Sequence, residues 1–144
     1  YYEVSREGYK FNMNDLSASI GRVQLKRFKS LMSKKNSLIR YYIKKIQSIN
    51  FSLLLPYNIQ NNSYWIMGLR HKKRDLLINH LNKNNISTGV HYLPLSKHPL
   101  YKKYDKNLKV SNNVWQEILT LPLHTGMSKK DIDRIVHCLN NFQK

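Results

Sequence analysis

With 144 residues, 25 Lys and Arg against 8 Asp and Glu, and a formal net charge of +17, the chain has the size of one small globular domain. Its longest apolar stretch, Phe51 to Leu55, is interrupted by Ser52 and stopped by Pro56, so no segment reaches the roughly 18 to 20 apolar residues of a membrane-spanning helix. The single cysteine, Cys138, excludes an intramolecular disulfide framework and a thiolate zinc cluster drawn from one chain.

From Asn12 the pattern becomes helical: Leu16, Ile20 and Val23 recur at i, i+4 and i+7, with Asn12 or Asn14 placed to cap the first turn. Ser17, Ala18, Ser19 and Gly21 leave this helix small-sided, which lets a large neighbour approach closely. A second helix is predicted over Leu38 to Ile49, with Ile39, Tyr42, Ile43 and Ile46 on one stripe and Arg40, Lys44 and Lys45 off it. Tyr57 to Ser63 lacks any period and reads as a loop. Tyr64 to Leu69 reads as a strand containing Gly68, at which a neighbour can come close. Arg74 to Asn84 reads as a helix with Leu77, Ile78 and Leu81 on one side, stopped at Asn85 and followed by a short strand, Ile86 to Tyr92.

Pro94 and Pro99 turn Leu93 to Leu108 into a loop with one short helical turn at Tyr101. Ser111 is expected to cap a helix through Glu117, and Ile118 to Leu123 to be extended, ended by Pro122. Ser128 opens a last helix, with Asp131 in the capping-box position and Ile132, Ile135, Val136 and Leu139 on the buried face. Strand, helix and strand in succession give a compact α/β (α+β) unit.

Complete active-site motifs are missing. His71, His80, His91, His98, His124 and His137 form no i, i+4 pair on a helix and have no carboxylate at ligand spacing, so no metal site is expected. Cys138 lies beside His137, but neighbouring helical residues diverge by about 100° and cannot act as a nucleophile and its base. Gly8, Gly21, Gly68, Gly89 and Gly126 are too far apart for a phosphate loop. Two polar clusters remain. The turn Gly8-Tyr9-Lys10-Phe11-Asn12-Met13-Asn14-Asp15 leads into a helix whose N-terminus, with Lys10 and Asn12, suits an anion; the bland alternative is an ordinary capped helix. In Ser87-Thr88-Gly89-Val90-His91-Tyr92-Leu93-Pro94, an imidazole and a phenol leave a strand and enter a restricted loop, either lining a cleft or serving structure.

These segments, with two others, follow one order. Gly8 to Gly21 with Gln24-Leu25, then Arg74-Asp75-Leu76, then Ile86 to Tyr92 with Pro94 and Pro99-Leu100-Tyr101, and finally Leu119-Thr120-Leu121-Pro122-Leu123-His124 resemble the DegT/DnrJ/EryC1/StrS sugar aminotransferase family. The turn is similar to the family's Gly-Tyr-Lys-Tyr-Asn-Met variant, while Ser96 stands where many relatives carry a second His. The resemblance covers essentially the whole chain but only the C-terminal part of a family member. It implies the small domain of a fold type I aminotransferase, with long linking helices and a small sheet of few strands covered by helices. Residues 1–50 would be the turn and linking helices toward a large domain, and residues 51–144 the small α/β domain.

The same resemblance implies a pyridoxal 5'-phosphate enzyme that moves an amino group, typically from glutamate, onto a nucleotide-linked keto sugar for polysaccharide precursors. The Schiff-base lysine sits in the family's large domain, so no catalytic residue is assigned and the chain alone is expected to be inactive. By the family's pattern Asn12, with Lys10 as a second candidate, meets the cofactor phosphate across a homodimer interface. His91 and Tyr92 border the sugar nucleotide. The expected location is the cytoplasm, since Tyr1 to Arg6 has neither a basic nor an apolar signal region.

The charge admits two other readings. A sequence pI of about 10.1 is the footprint of a free-standing nucleic-acid-binding module. Yet sixteen Asn accompany dispersed lysine pairs such as Lys34-Lys35, Lys72-Lys73 and Lys129-Lys130, as an AT-rich genome would produce, and the Tyr and Trp residues fall in predicted core stripes and the strand at 64 and 65. Nucleic acid is therefore not the expected partner. A truncated, inactive remnant is the third reading.

Overall fold

Between Asp15 and Gln47 the sequence has no proline and a single glycine, Gly21, and the whole stretch forms one α-helix, α1. The computed structural model describes residues 3, 5–47, 49, 51–54, 62–104, 106 and 108–143. The two helices expected from the hydrophobic pattern are thus one, because the residues between Val23 and Leu38 are mostly helix formers and nothing there interrupts the hydrogen-bond ladder. Of the two candidate caps, Asn14 takes the position: its Oδ1 accepts the Ser17 N–H at 2.8 Å, and Asp15 and Lys44-Lys45 suit the two ends of the helix dipole. Asn12 lies ahead of the helix.

The halves of α1 differ. Leu38, Ile39, Tyr42 and Ile46 are buried, whereas Leu16, Ile20, Val23, Leu25 and Phe28 on the first half are exposed. At 1.5 Å per residue the N-terminal turn stands roughly 35 Å along the axis from Leu38.

The sheet has three antiparallel strands in chain order: β1 (Ser52–Leu53), β2 (Met67–Arg70) and β3 (Ile118–Leu121). Leu53 pairs with Leu69; Met67 pairs with Leu121, Gly68 with Thr120 and Leu69 with Leu119. The strand alternation therefore puts Met67, Leu69, Leu119 and Leu121 on the core face and Gly68 and Thr120 on the other. A Cβ on Gly68 would meet Leu54 atoms at 3.0 and 3.1 Å, which explains glycine at this crossing. Of the strand expected from Tyr64, only Met67 onward is paired; β1 was not anticipated. The strand expected over Ile86 to Tyr92 reduces to one bridge, Gly89 with Thr120, because the segment meets the β3 edge at that point without running along it. Of the loop expected over Tyr57 to Ser63, residues 57–61 lie outside the described residues, and Asn62 and Ser63 have no regular structure.

Two helices, α2 (Arg74–Lys83) and α4 (Lys129–Gln143), complete the core with Leu77, Leu81, Ile132, Ile135, Val136 and Leu139. Asn85 has a φ of 55°, a left-handed position asparagine tolerates, and ends α2 where expected. The capping box also forms: Asp131 Oδ2 accepts the Ser128 N–H at 2.7 Å and its hydroxyl at 2.8 Å. These bonds, the backbone one first, hold the Asp131 carboxyl below its ordinary range. Helix α3 (Lys109–Glu117) starts earlier than expected, with Leu108 at the N-cap, so Ser111 lies inside it and caps nothing. Two short 3-10 helices, Leu95–Lys97 and Pro99–Tyr104, replace the single turn expected at Tyr101.

Polar links fix α1 to this core. The buried Tyr42 hydroxyl donates to the Pro122 carbonyl at 3.0 Å, and burial, with the Asp131 charge adding, pushes the phenol well above its ordinary pKa. The Tyr41 hydroxyl donates to Asp133 Oδ1 at 2.8 Å, and Lys45 Nζ lies 2.8 Å from the same oxygen. Hydrogen bonds from Lys45 and then Tyr41 hold the Asp133 carboxyl down.

Candidate functional site

The two stretches singled out by the polar pattern sit on different elements, one just before α1 and the other beside β3. Lys10 and Asn12 lie in an irregular, exposed segment just before α1, where Tyr9 and Phe11 have ring centroids 5.5 Å apart. Asn14 satisfies one N–H of the first helical turn. An ammonium, a side-chain amide and a helix N-terminus form a donor set that matches the chemistry of a phosphate.

His91 and Tyr92 sit instead beside β3. Gly89 makes both main-chain bonds with Thr120, its N–H to the Thr120 carbonyl at 3.1 Å and its carbonyl to the Thr120 N–H at 2.7 Å. This bridge brings His91 Nδ1 to 2.8 Å from Thr120 Oγ1. The imidazole packs edge-on against Trp65, centroids 5.5 Å apart, and against Tyr92 at 4.8 Å; Trp65 and Tyr92 are stacked at 6.2 Å with 20° between their planes. Trp65 is 57% and Tyr92 64% exposed. The result is an open aromatic surface with an imidazole held at its side.

Sequence reasoning missed Trp65 and Thr120 as members of this cluster. Trp65, expected in the strand from Tyr64, is largely exposed, and Tyr101 and Tyr104 are exposed too, so the aromatic residues do not all lie in buried stripes. Thr120 carried a usable signal: it is the one polar residue in the run Ile118 to Leu121, yet it is buried. Ser96 is buried too, and its hydroxyl has no hydrogen-bond partner among the described residues.

The remaining histidines are spread over the fold. His80 Nε2 meets the Cys138 carbonyl at 3.0 Å, His124 Nδ1 accepts the Gly126 N–H at 3.2 Å, and His137 Nε2 pairs with the Asn141 amide at 3.1 Å. Cys138 is buried, which pushes its thiol pKa up and makes it a poor nucleophile. A cleft of about 1020 Å³ opens beside β1, lined in part by Phe51, Arg70, His71, Lys73 and Phe142. Its size does not make it the site. Arg70 Nε donates to Glu117 at 3.1 Å, His71 Nδ1 accepts the Lys73 main-chain N–H at 3.0 Å, and the His71 ring contacts Phe51 and Phe142, so Arg70 and His71 are already engaged within the fold. Arg74, in one of the segments that suggested a family, is buried and donates to the Trp115 and Ile118 carbonyls at 3.3 and 3.2 Å, tying α2 to the α3–β3 junction.

The family model of the DegT/DnrJ/EryC1/StrS aminotransferases matches residues 1–140, spanning both polar clusters. The chain belongs to this family. Among DegT/DnrJ/EryC1/StrS relatives, it is 30% identical to the spore coat polysaccharide biosynthesis protein SpsC of Bacillus subtilis, over 100% of this chain and 40% of SpsC. A DegT/DnrJ/EryC1/StrS aminotransferase from Brucella abortus superposes with a TM-score of 0.85 at 25% identity, covering 99% of this chain and 39% of the other. Spr1654 of Streptococcus pneumoniae, solved in a PLP-form and a PMP-form, gives 0.82 at 26% identity, over 98% of this chain and 38% of that one. The chain thus spans about 40% of the length of the relatives it matches. The α+β unit expected for the small domain of a fold type I aminotransferase is present, with one long helix where two were expected.

Proposed function

We propose that this chain forms the phosphate- and sugar-contacting portion of a pyridoxal-phosphate-dependent aminotransferase that moves an amino group from glutamate onto a nucleotide-linked keto sugar. The observation that carries the reading is the family match through residues 1–140, which includes the turn at Lys10 and Asn12 and the segment at His91 and Tyr92. SpsC, a polysaccharide biosynthesis protein, and Spr1654, with its PLP-form, support the substrate class and the cofactor.

In this reading residues 1–50 link toward a large domain and residues 51–144 form the small domain, with the buried half of α1 packed into the latter. The exposed apolar residues Leu16, Ile20, Val23 and Phe28 are the surface a large domain or a second subunit covers in a homodimer. Pyridoxal phosphate, when bound, supplies the electron sink for amino transfer. Asn12 donates its amide to the cofactor phosphate, and Lys10 offsets the phosphate charge. His91 and Tyr92 border the sugar nucleotide, His91 offering a ring nitrogen and Tyr92 an aromatic face and a hydroxyl. None of these four moves the proton of the reaction itself; they bind and orient.

The test is Asn12→Ala in the enzyme that contains this chain, which should raise the cofactor dissociation constant about tenfold, the worth of one charge-assisted hydrogen bond. Unchanged cofactor affinity contradicts the assignment.

A further inference from the structure

Thr120 Oγ1 lies between two hydrogen-bonding neighbours, the Gly89 carbonyl at 3.1 Å and His91 Nδ1 at 2.8 Å. The hydroxyl has one proton, and the carbonyl has none to give. The main-chain bridge sets the 3.1 Å between these oxygens, and with the Thr120 hydroxyl donating to the Gly89 carbonyl, Oγ1 turns a lone pair toward the imidazole. Nδ1 must then donate. In the neutral ring this leaves Nε2 without a proton.

We infer that Thr120 is a positioning residue for His91: it holds the imidazole as the Nδ1–H tautomer and so leaves Nε2 as an acceptor for a ligand hydroxyl. The ligand part rests on the proposed role of His91 beside the sugar nucleotide, whose hydroxyls are donors of the right class. The tautomer itself rests on the geometry alone.

The surroundings fix the ring as well as the proton. Gly89 is tied to Thr120 through both main-chain bonds, so the carbonyl that orients the hydroxyl cannot drift. Trp65 and Tyr92 hold the imidazole edge-on, with interplanar angles of 73° and 88°. Thr120 is only 6% exposed, which keeps water from competing for its single proton. A hydrogen bond to one ring nitrogen is the usual means by which the proton is placed on it and withheld from the other.

Long-range 1H–15N correlation spectra at about pH 8.5, above the ordinary imidazole range, read the tautomer directly. The His91 signals are identified by their loss in His91→Gln. The wild-type protein and Thr120→Ser, which keeps the hydroxyl, should both show Nδ1 protonated and Nε2 bare. Thr120→Val should lose that preference, with Nε2–H becoming the major species. Nε2–H in the wild type, or a tautomer unchanged in Thr120→Val, overturns the inference. If Thr120→Val does not fold, the wild-type and Thr120→Ser spectra still decide it. No substrate is needed for this readout, so its failure is distinct from a failure of His91 to contact the sugar nucleotide, which would appear as unchanged KM in His91→Gln.

Discussion

The Tyr42 hydroxyl reaches the Pro122 carbonyl at 3.0 Å, joining the buried half of α1 to the exit of β3 only two residues from Thr120. The phenol is fully buried, so this bond anchors the strand that carries the candidate site. Tyr42→Phe leaves the carbonyl without its partner and should lower stability by about 1–2 kcal/mol. Thermal unfolding should show this as a fall in Tm of several degrees with little change in secondary structure. Because burial raises the Tyr42 pKa, its phenolate signal should also be among the last to appear in an alkaline spectrophotometric titration.

Acid should destabilise the fold through Asp131 and Asp133. Both carboxyls are held below their ordinary range, Asp131 by Ser128 and Asp133 by Lys45 and Tyr41. The folded state therefore binds protons less readily than the unfolded chain. The stability these groups contribute is complete above the ordinary carboxylate range and fades as pH falls through their lower folded-state values. Tm measured from neutral pH down to about pH 2 should drop along this limb, and Asp131→Asn with Asp133→Asn should flatten it.

Gly89 should be intolerant of a side chain for a local reason. A Cβ there would lie 2.6 Å from His91 Cε1 and 3.1 Å from Thr120 Oγ1. The imidazole is the group that can move, so Gly89→Ala should displace His91 and weaken its bond to Thr120. The expected signature is a rise in KM for the sugar nucleotide of about tenfold or more, with a fall in Tm of only a few degrees. A chemical-shift change at His91 in the variant's NMR spectrum would verify the cause.

Much of this fold was legible in the sequence because its signals were local. Ser128 with Asp131, the Leu77-Ile78-Leu81 stripe, Asn85 and the run ending at Pro122 each predict an element from neighbouring residues alone, and each stands close to the expected place. The misses came where tertiary pairing decides. Ile86 to Tyr92 has strand composition, yet only Gly89 finds a partner, and Ser52-Leu53 becomes a strand only because Leu69 and Arg70 lie beside it. The change of exposure halfway along α1 hid its continuity. The site was half visible: His91 and Tyr92 stood out by type, whereas Trp65 and Thr120 joined them through contacts across more than 25 residues of chain.

The central claim is that this chain lends binding groups to a cofactor whose reactive amine comes from another part of the enzyme. Borohydride reduction of the enzyme loaded with pyridoxal phosphate, followed by peptide mass mapping, tests it directly. The account predicts one reduced cofactor per active site on a lysine outside residues 1–144, with every lysine of this chain unmodified at that level. Stoichiometric modification of any lysine within residues 1–144 would contradict it.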